Sequence, residues 1–128
     1  MTKWKILLVD DEQDFRKIMS ERITSWGYEV GSVSSGKEAV EEIKNKNADI
    51  VILDYMMPQK DGISTLKEIR QLNKEIPVIM FTAHPDEKSI KVGDDLGITA
   101  FVPKIGGRQS GHSALQAAIN MAAKKLKK

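Results

Sequence analysis

Short runs of aliphatic and β-branched residues alternate along the chain with longer stretches in which apolar residues recur at helical spacing. This alternation predicts βα units that feed a single parallel sheet. The predicted strands are Lys5–Val9, Glu29–Val33, Ile50–Leu53, Val78–Thr82 and Ala100–Val102. The stretches between and after them predict amphipathic helices, each with one apolar stripe that covers the sheet.

The polarity of the five runs predicts the order of the strands. The first, third and fourth runs are almost entirely apolar, which is typical of central strands buried on both faces. Glu29–Val33 is more polar and predicts an edge. With right-handed crossovers, this distribution favours a doubly wound, flavodoxin-like (βα)5 fold of order 2-1-3-4-5. A closed barrel would need more strands and more residues.

One predicted helix is weaker than the others. The segment Asp86–Gly97 has few large apolar residues and carries Gly93 in its interior. A glycine at such a position costs about 1 kcal/mol relative to alanine. We therefore expect this segment to be less stable than its neighbours.

Composition limits the classes of protein to consider. A chain of 128 residues that is 41% hydrophobic and 30% charged predicts one domain, with a core at about 4–123 and a basic tail at 124–128. The absence of cysteine removes zinc-thiolate and redox chemistry. No apolar run approaches the length of a membrane span, so we expect a cytoplasmic protein. The tail lysines suit a helix C-terminus and solubility, although contact with nucleic acid or a membrane surface is an alternative.

Three carboxylates are predicted to meet at one edge of the sheet. In this strand order, the ligand crevice lies beyond the carboxyl ends of the first and third strands. Asp10 and Asp11 follow the first strand, and Asp54 follows the third. Like charges at such short range need a cation or protons, and carboxylate oxygens suit Mg²⁺. A single aspartate there would be an ordinary loop or cap residue, but three at adjacent strand ends favour a metal site.

Two further side chains add chemistry at the same edge. Thr82 ends the fourth strand, and Lys104 follows the fifth. A hydroxyl and an ammonium can both donate to phosphoryl oxygens. Together with a nucleophilic carboxylate and a metal, they would supply what an aspartyl phosphate requires.

The order and spacing of these motifs resemble the receiver domain of two-component response regulators, in its single-domain, chemotaxis-regulator-like form. The resemblance runs from Lys5 to about Ala122. The matching features are the acidic pair after the first strand, an aspartate followed by Pro58 and then Asp61-Gly62, the pair Thr82-Ala83, and a lysine three residues after Phe101.

The resemblance implies a role for each matching residue. Asp54 would accept a phosphoryl group from a histidine kinase or a phosphotransfer protein. Mg²⁺ would be held by Asp10, Asp11, Asp54 and the backbone carbonyl of Met56. Thr82 and Phe101 would be the switch residues, and Lys104 would contact the phosphoryl group. Such domains catalyse their own phosphorylation and dephosphorylation, yet they are signalling proteins rather than metabolic enzymes. The chain departs from the family at Ile105, where a proline usually follows the lysine.

The sequence leaves the output open. Because the chain ends with the predicted fifth helix, we expect no attached DNA-binding domain. The output would be an unidentified target protein, or a homodimer formed through the face of the fourth helix, fifth strand and fifth helix. A pseudo-receiver that signals without phosphorylation and a phosphoryl sink or relay are alternatives.

Other classes fit the motifs less well. A phosphatase with an aspartyl intermediate generally has a second acid where this chain has Met56. A flavodoxin-like electron carrier would need a Ser/Thr/Gly-rich phosphate loop after the first strand. The nucleotide-binding motifs GxGxxG and GxxxxGK[ST] are both absent.

Overall fold

The computed structural model describes residues 4–54, 62–82, 87–103 and 109–126. Along these residues, strands and helices alternate in the order β1 Lys5–Val9, α1 Gln13–Ser25, β2 Glu29–Val33, α2 Gly36–Lys44, β3 Ile50–Asp54, α3 Gly62–Leu72, β4 Val78–Thr82, α4 Glu87–Asp95, β5 Ala100–Pro103 and α5 Gln109–Leu126. Every predicted strand is present. The third and fifth each extend one residue further than the sequence pattern predicted.

The five strands form one parallel sheet in the order β2-β1-β3-β4-β5. This confirms the predicted doubly wound order. The register pairs Val9 with Leu53 on the neighbouring strand, and Asp54 with Phe81 on the next one. The carboxyl ends of β1, β3 and β4 therefore finish at nearly the same level, which is where Asp10 and Asp54 lie.

Two apolar layers cover the faces of the sheet. Alternate residues of β3 enter opposite layers, Ile50 and Ile52 on one face and Val51 and Leu53 on the other. The first layer packs against α1 and α5, and the second against α2 and α3. Burying one such aliphatic side chain stabilises the fold by about 1.5–3 kcal/mol. This two-sided burial explains why β1, β3 and β4 have continuous apolar sequences.

The N-terminus of α2 is held by a reciprocal cap. The Ser35 hydroxyl accepts a hydrogen bond from the Glu38 backbone N–H at 3.2 Å. The Glu38 carboxylate accepts from the hydroxyl and the backbone N–H of Ser34, at 2.7 and 3.2 Å. These bonds lower the pKa of Glu38, the Ser34 hydroxyl contributing most. The cap fixes the turn between β2 and α2.

Residue 93 packs too closely for a side chain to fit without adjustment. Gly93 is buried on α4, and a Cβ atom built there would lie 2.9 Å from Cδ1 of Ile98. The new atom would meet only the far end of the flexible Ile98 side chain. Lower stability of this segment stays a prediction.

The last helix, α5, packs on the sheet through Leu115, Ile119 and Ala122. Lys124 and Lys125 lie in its final turn, where cations complement the helix dipole. Among the residues that the structure describes, no helix is both long enough and apolar enough to cross a membrane.

Candidate functional site

Asp10, Asp11 and Asp54 lie together at the carboxyl end of the sheet. One carboxylate oxygen from each residue lies within 4.8 Å of the other two. Asp10 is 1% exposed and Asp54 is 5% exposed, whereas Asp11 faces solvent. Two of the three carboxylates are thus largely removed from water, at the strand ends where the sequence predicted them.

The burial of these acids makes their mutual repulsion significant. Two unit charges 4.8 Å apart repel by about 3.5 kcal/mol at an effective dielectric of about 20. A cation bound among the three carboxylates would offset this repulsion. Three carboxylates within reach of one point are a hard-oxygen donor set, which suits Mg²⁺ better than a softer metal. The residues present therefore fit a magnesium site.

Backbone contacts fix the loop that carries Asp10. The backbone N–H of Asp10 donates to the carbonyl of Val33 at 3.2 Å, which ties the loop to the end of β2. The Asp10 carboxylate accepts from the backbone N–H of Glu12 at 2.9 Å. A guanidinium N–H of Arg16 donates to the carbonyl oxygen of Asp10 at 2.8 Å. The loop is therefore anchored through the backbone and the side chain of Asp10.

Aromatic packing lies beneath the acids. Phe81, which pairs with Asp54 across the strands, is 3% exposed. Its ring centroid lies 5.7 Å from that of Phe15 on α1. This contact joins α1 to β4 at the level of Asp54, near the carboxyl end of the sheet.

The other predicted site residues fall at different places. Thr82 is the last residue of β4, one position after the partner of Asp54. Phe101 lies on β5, is half-buried and packs against the core layer of α2 and α3. Met56 and Lys104 lie outside the described residues, as does Ile105. Their assignments therefore stay predictions.

A cavity of about 460 Å³ lies between α4 and β5. Phe101 lines it together with Ala100 and Ile90, and Ile90 is 45% exposed. The cavity extends from Phe101, a predicted switch residue, to Ile90 on the surface of α4. It lies on the face that the sequence analysis named as a partner or dimer surface.

The sequence analysis did not identify Arg16 as part of the site. Its partner is a backbone carbonyl rather than a charged side chain, so no charge pattern indicates the contact. The sequence shows only that Arg16 follows the acidic pair by five residues.

A family model described as the response regulator receiver domain matches residues 6–116. The chain belongs to this family. Receiver domains bind Mg²⁺ in general, and the acidic cluster of this chain could bind the ion.

Curated relatives share the receiver domain within longer proteins. The chain is 42% identical over 103 residues to the probable transcriptional regulator ycf27 of Guillardia theta. This matched region covers 80% of this chain and 40% of that protein. It is 38% identical over 120 residues to the protein-glutamate methylesterase/protein-glutamine glutaminase of Trichodesmium erythraeum, covering 91% of this chain and 34% of that protein. The chain thus spans well under half the length of either relative.

Solved structures show the same fold. The chemotaxis protein CheY4 of Vibrio cholerae superimposes with a TM-score of 0.82 at 25% identity. The match covers 94% of this chain and 99% of that chain. The receiver fold is therefore matched over nearly its whole length.

Proposed function

We propose that this receiver domain is a phosphorylation-dependent signalling switch. Asp54 accepts a phosphoryl group from a histidine kinase or a phosphotransfer protein. Asp10, Asp11, Asp54 and the backbone carbonyl of Met56 hold Mg²⁺. The observation that carries the proposal is the meeting of three carboxylates within 4.8 Å, two of them buried, in a member of the receiver family.

The proposed reaction is a displacement at phosphorus. An Asp54 carboxylate oxygen forms a bond to phosphorus as the bond to the donor nitrogen of phosphohistidine breaks, and the imidazole leaves with the electron pair of that bond. Bound Mg²⁺ would neutralise charge on the phosphoryl oxygens. The strand ends hold Asp54 in place, so that positioning supplies part of the rate. Lys104 and the Thr82 hydroxyl are proposed to donate to the phosphoryl oxygens.

The signal would pass from the acids to the face of α4, β5 and α5. Thr82 lies at the end of β4, and Phe101 lines the cavity beside α4. A shift of these two residues would change the surface that includes Ile90. To turn a 1:99 population into 99:1, phosphorylation has to favour one arrangement by about 5.5 kcal/mol. A few charge-assisted hydrogen bonds in a partly buried site can supply that difference.

The proposed output is binding of a target protein or of a second copy through this face. The apolar side chains of Ile90 and Phe101 support a protein partner, because they give the face an apolar centre. We propose that the domain acts as a cytoplasmic signalling protein rather than as a metabolic enzyme.

Intact-protein mass spectrometry tests the chemistry. The wild type, incubated with acetyl phosphate and Mg²⁺, is expected to gain one phosphoryl group, and EDTA is expected to prevent the gain. Asp54→Asn should abolish it. Asp14→Asn is the matched control, because it removes an acid from the first turn of α1, outside the three-carboxylate cluster. A wild type that binds Mg²⁺ but takes no phosphoryl group from acetyl phosphate or from a phosphohistidine donor would favour the pseudo-receiver.

Amide NMR spectra test the coupling to the α4 face. Phosphorylation of the wild type is expected to shift the amides of Phe101 and of α4. Thr82→Ala should still accept the phosphoryl group, but the shifts at α4 should be much smaller. Thr24→Ala, an exposed change at the end of α1, serves as the control. Equal shifts in the wild type and Thr82→Ala would contradict the proposed route.

A further inference from the structure

Arg16 connects the first helix to the loop that carries two of the three acids. It is half-buried on α1, and its guanidinium donates to the carbonyl oxygen of Asp10 at 2.8 Å. Its own backbone N–H donates to the carbonyl of Glu12 at 3.0 Å, which begins the hydrogen bonding of the helix. The side chain of Arg16 therefore holds residue 10, whereas the backbone bond to Glu12 would form with any residue other than proline at position 16.

A hydrogen bond to the Asp10 carbonyl restrains Asp11 as well as Asp10, because the carbonyl belongs to the peptide that joins them. A peptide unit is planar, so the direction of the Asp10 carbonyl determines the direction in which the chain enters Asp11. The other side of Asp10 is fixed by its N–H, which donates to Val33. Asp11 itself is exposed, so the peptide before it does more to orient it than packing does.

The positive charge of Arg16 also acts on Glu38 of α2. The pKa of Glu38 is lowered mainly by the Ser34 hydrogen bonds, and the positive charge of Arg16 adds to that effect. The contribution of Arg16 to the acidic site is its hydrogen bond to the Asp10 carbonyl.

We propose that Arg16 is a positioning residue for the acidic site: it holds the peptide between Asp10 and Asp11 so that both carboxylates face Asp54. This role rests on the proposed Mg²⁺ site. Groups that orient metal ligands without touching the metal typically contribute about 10- to 100-fold to metal affinity. A single hydrogen bond of this kind corresponds to the lower end of that range.

A Mg²⁺ titration followed by amide NMR tests the proposal without any phosphoryl donor. Arg16→Met is expected to raise the Mg²⁺ dissociation constant about tenfold. Arg22→Met, which removes the same charge from an exposed position on the same helix, should leave it unchanged. Arg16→Lys keeps the charge and a donor on a different stem, so it should recover part of the affinity. Wild-type affinity in Arg16→Met, or equal weakening in Arg22→Met, would overturn the proposal.

A second readout needs no metal. In Arg16→Met, the amides of Asp11 and Glu12 are expected to exchange with solvent faster than in the wild type, because their loop has lost an anchor. Unchanged exchange would contradict the positioning role. If circular dichroism shows that Arg16→Met does not fold, Arg16→Lys decides: weaker Mg²⁺ binding than the wild type supports the role, and wild-type binding refutes it.

Phosphorylation by acetyl phosphate separates this proposal from the proposed function. Arg16→Met should need about ten times more Mg²⁺ to reach half of its maximal rate, while its rate at saturating Mg²⁺ stays close to that of the wild type. A lower maximal rate with an unchanged Mg²⁺ requirement would contradict positioning of the metal ligands. If the wild type takes no phosphoryl group, the proposed function fails, and the Mg²⁺ titration still decides the role of Arg16.

Discussion

Arg70 is expected to be the most important polar contact between α3 and α4. Its guanidinium donates to four carbonyl oxygens, at 2.7 Å to Leu96, 2.7 Å to Ile76, 3.0 Å to Gly97 and 3.3 Å to Asn73. Partial burial lowers the pKa of Arg70, and these carbonyls replace the water that the cation has lost. The contact anchors the C-terminal end of α4, the helix that carries the proposed output face.

The expected loss of stability on replacing Arg70 comes from its two partly buried hydrogen bonds. The bonds to Leu96 and Ile76 are the short ones, and a hydrogen bond from a charged donor contributes about 1.5 kcal/mol at the low end. The other two bonds are exposed, so water can replace them. Arg70→Met, which keeps much of the aliphatic stem, should therefore lower the free energy of unfolding by about 3 kcal/mol.

Urea denaturation at equilibrium measures this loss. Arg22→Met is the matched control, with an expected change within about 0.5 kcal/mol, because it lies on an exposed surface. Arg70→Lys should recover less than half of the loss, since one ammonium cannot reach the spread of oxygens that a planar guanidinium reaches. Amide exchange should accelerate at Leu96 and Gly97 in particular. A loss below about 1 kcal/mol, or an equal loss in the control, would refute the argument.

Two further predictions concern α4 and the cap of α2. Gly93→Ala should raise the free energy of unfolding by between zero and about 1 kcal/mol, because alanine favours a helix and the new methyl group meets only the end of the flexible Ile98 side chain. Thermal unfolding measures the change, and a loss of stability above about 1 kcal/mol would contradict the prediction. Glu38 has a lowered pKa when folded, so its stabilising contribution is present above its unfolded pKa, near 4.5, and is lost as the pH falls through the lower folded value. The stability difference between the wild type and Glu38→Gln should therefore shrink as the pH falls below about 4.5, and a difference independent of pH would contradict the assignment.

The sequence predicted most of the fold because the central strands are buried on both faces. A central parallel strand such as Ile50–Asp54 has to be apolar at almost every position, so its burial is visible in the sequence. The strand order then placed Asp10 and Asp54 at neighbouring ends, and their carboxylates do meet. The acids of the candidate site could thus be predicted from topology alone.

Other features depend on contacts that no local pattern encodes. The sequence analysis recognised the cost of Gly93 in a helix but not its close approach to Ile98. The contacts of Arg16 and Arg70 are made to backbone carbonyls, in the case of Arg70 to Gly97 27 residues away. Tertiary packing brings Arg70 to Leu96 and Gly97, whereas the Arg16 contact spans only six residues and depends on how the chain turns into α1. Tertiary packing also forms the cavity beside Phe101, which exists only once α4 has packed against β5.

The central claim is that Asp54 itself receives the phosphoryl group, and chemical mapping of the adduct tests it most directly. The chain is phosphorylated with acetyl phosphate and Mg²⁺, reduced with borohydride, digested and sequenced by mass spectrometry. An aspartyl phosphate is an acyl phosphate, so borohydride converts that aspartate to homoserine, while an unmodified carboxylate is unchanged. The account predicts homoserine at position 54 and at neither position 10 nor 11, and none when EDTA is present. Homoserine at another position, or an adduct that resists reduction, would contradict it.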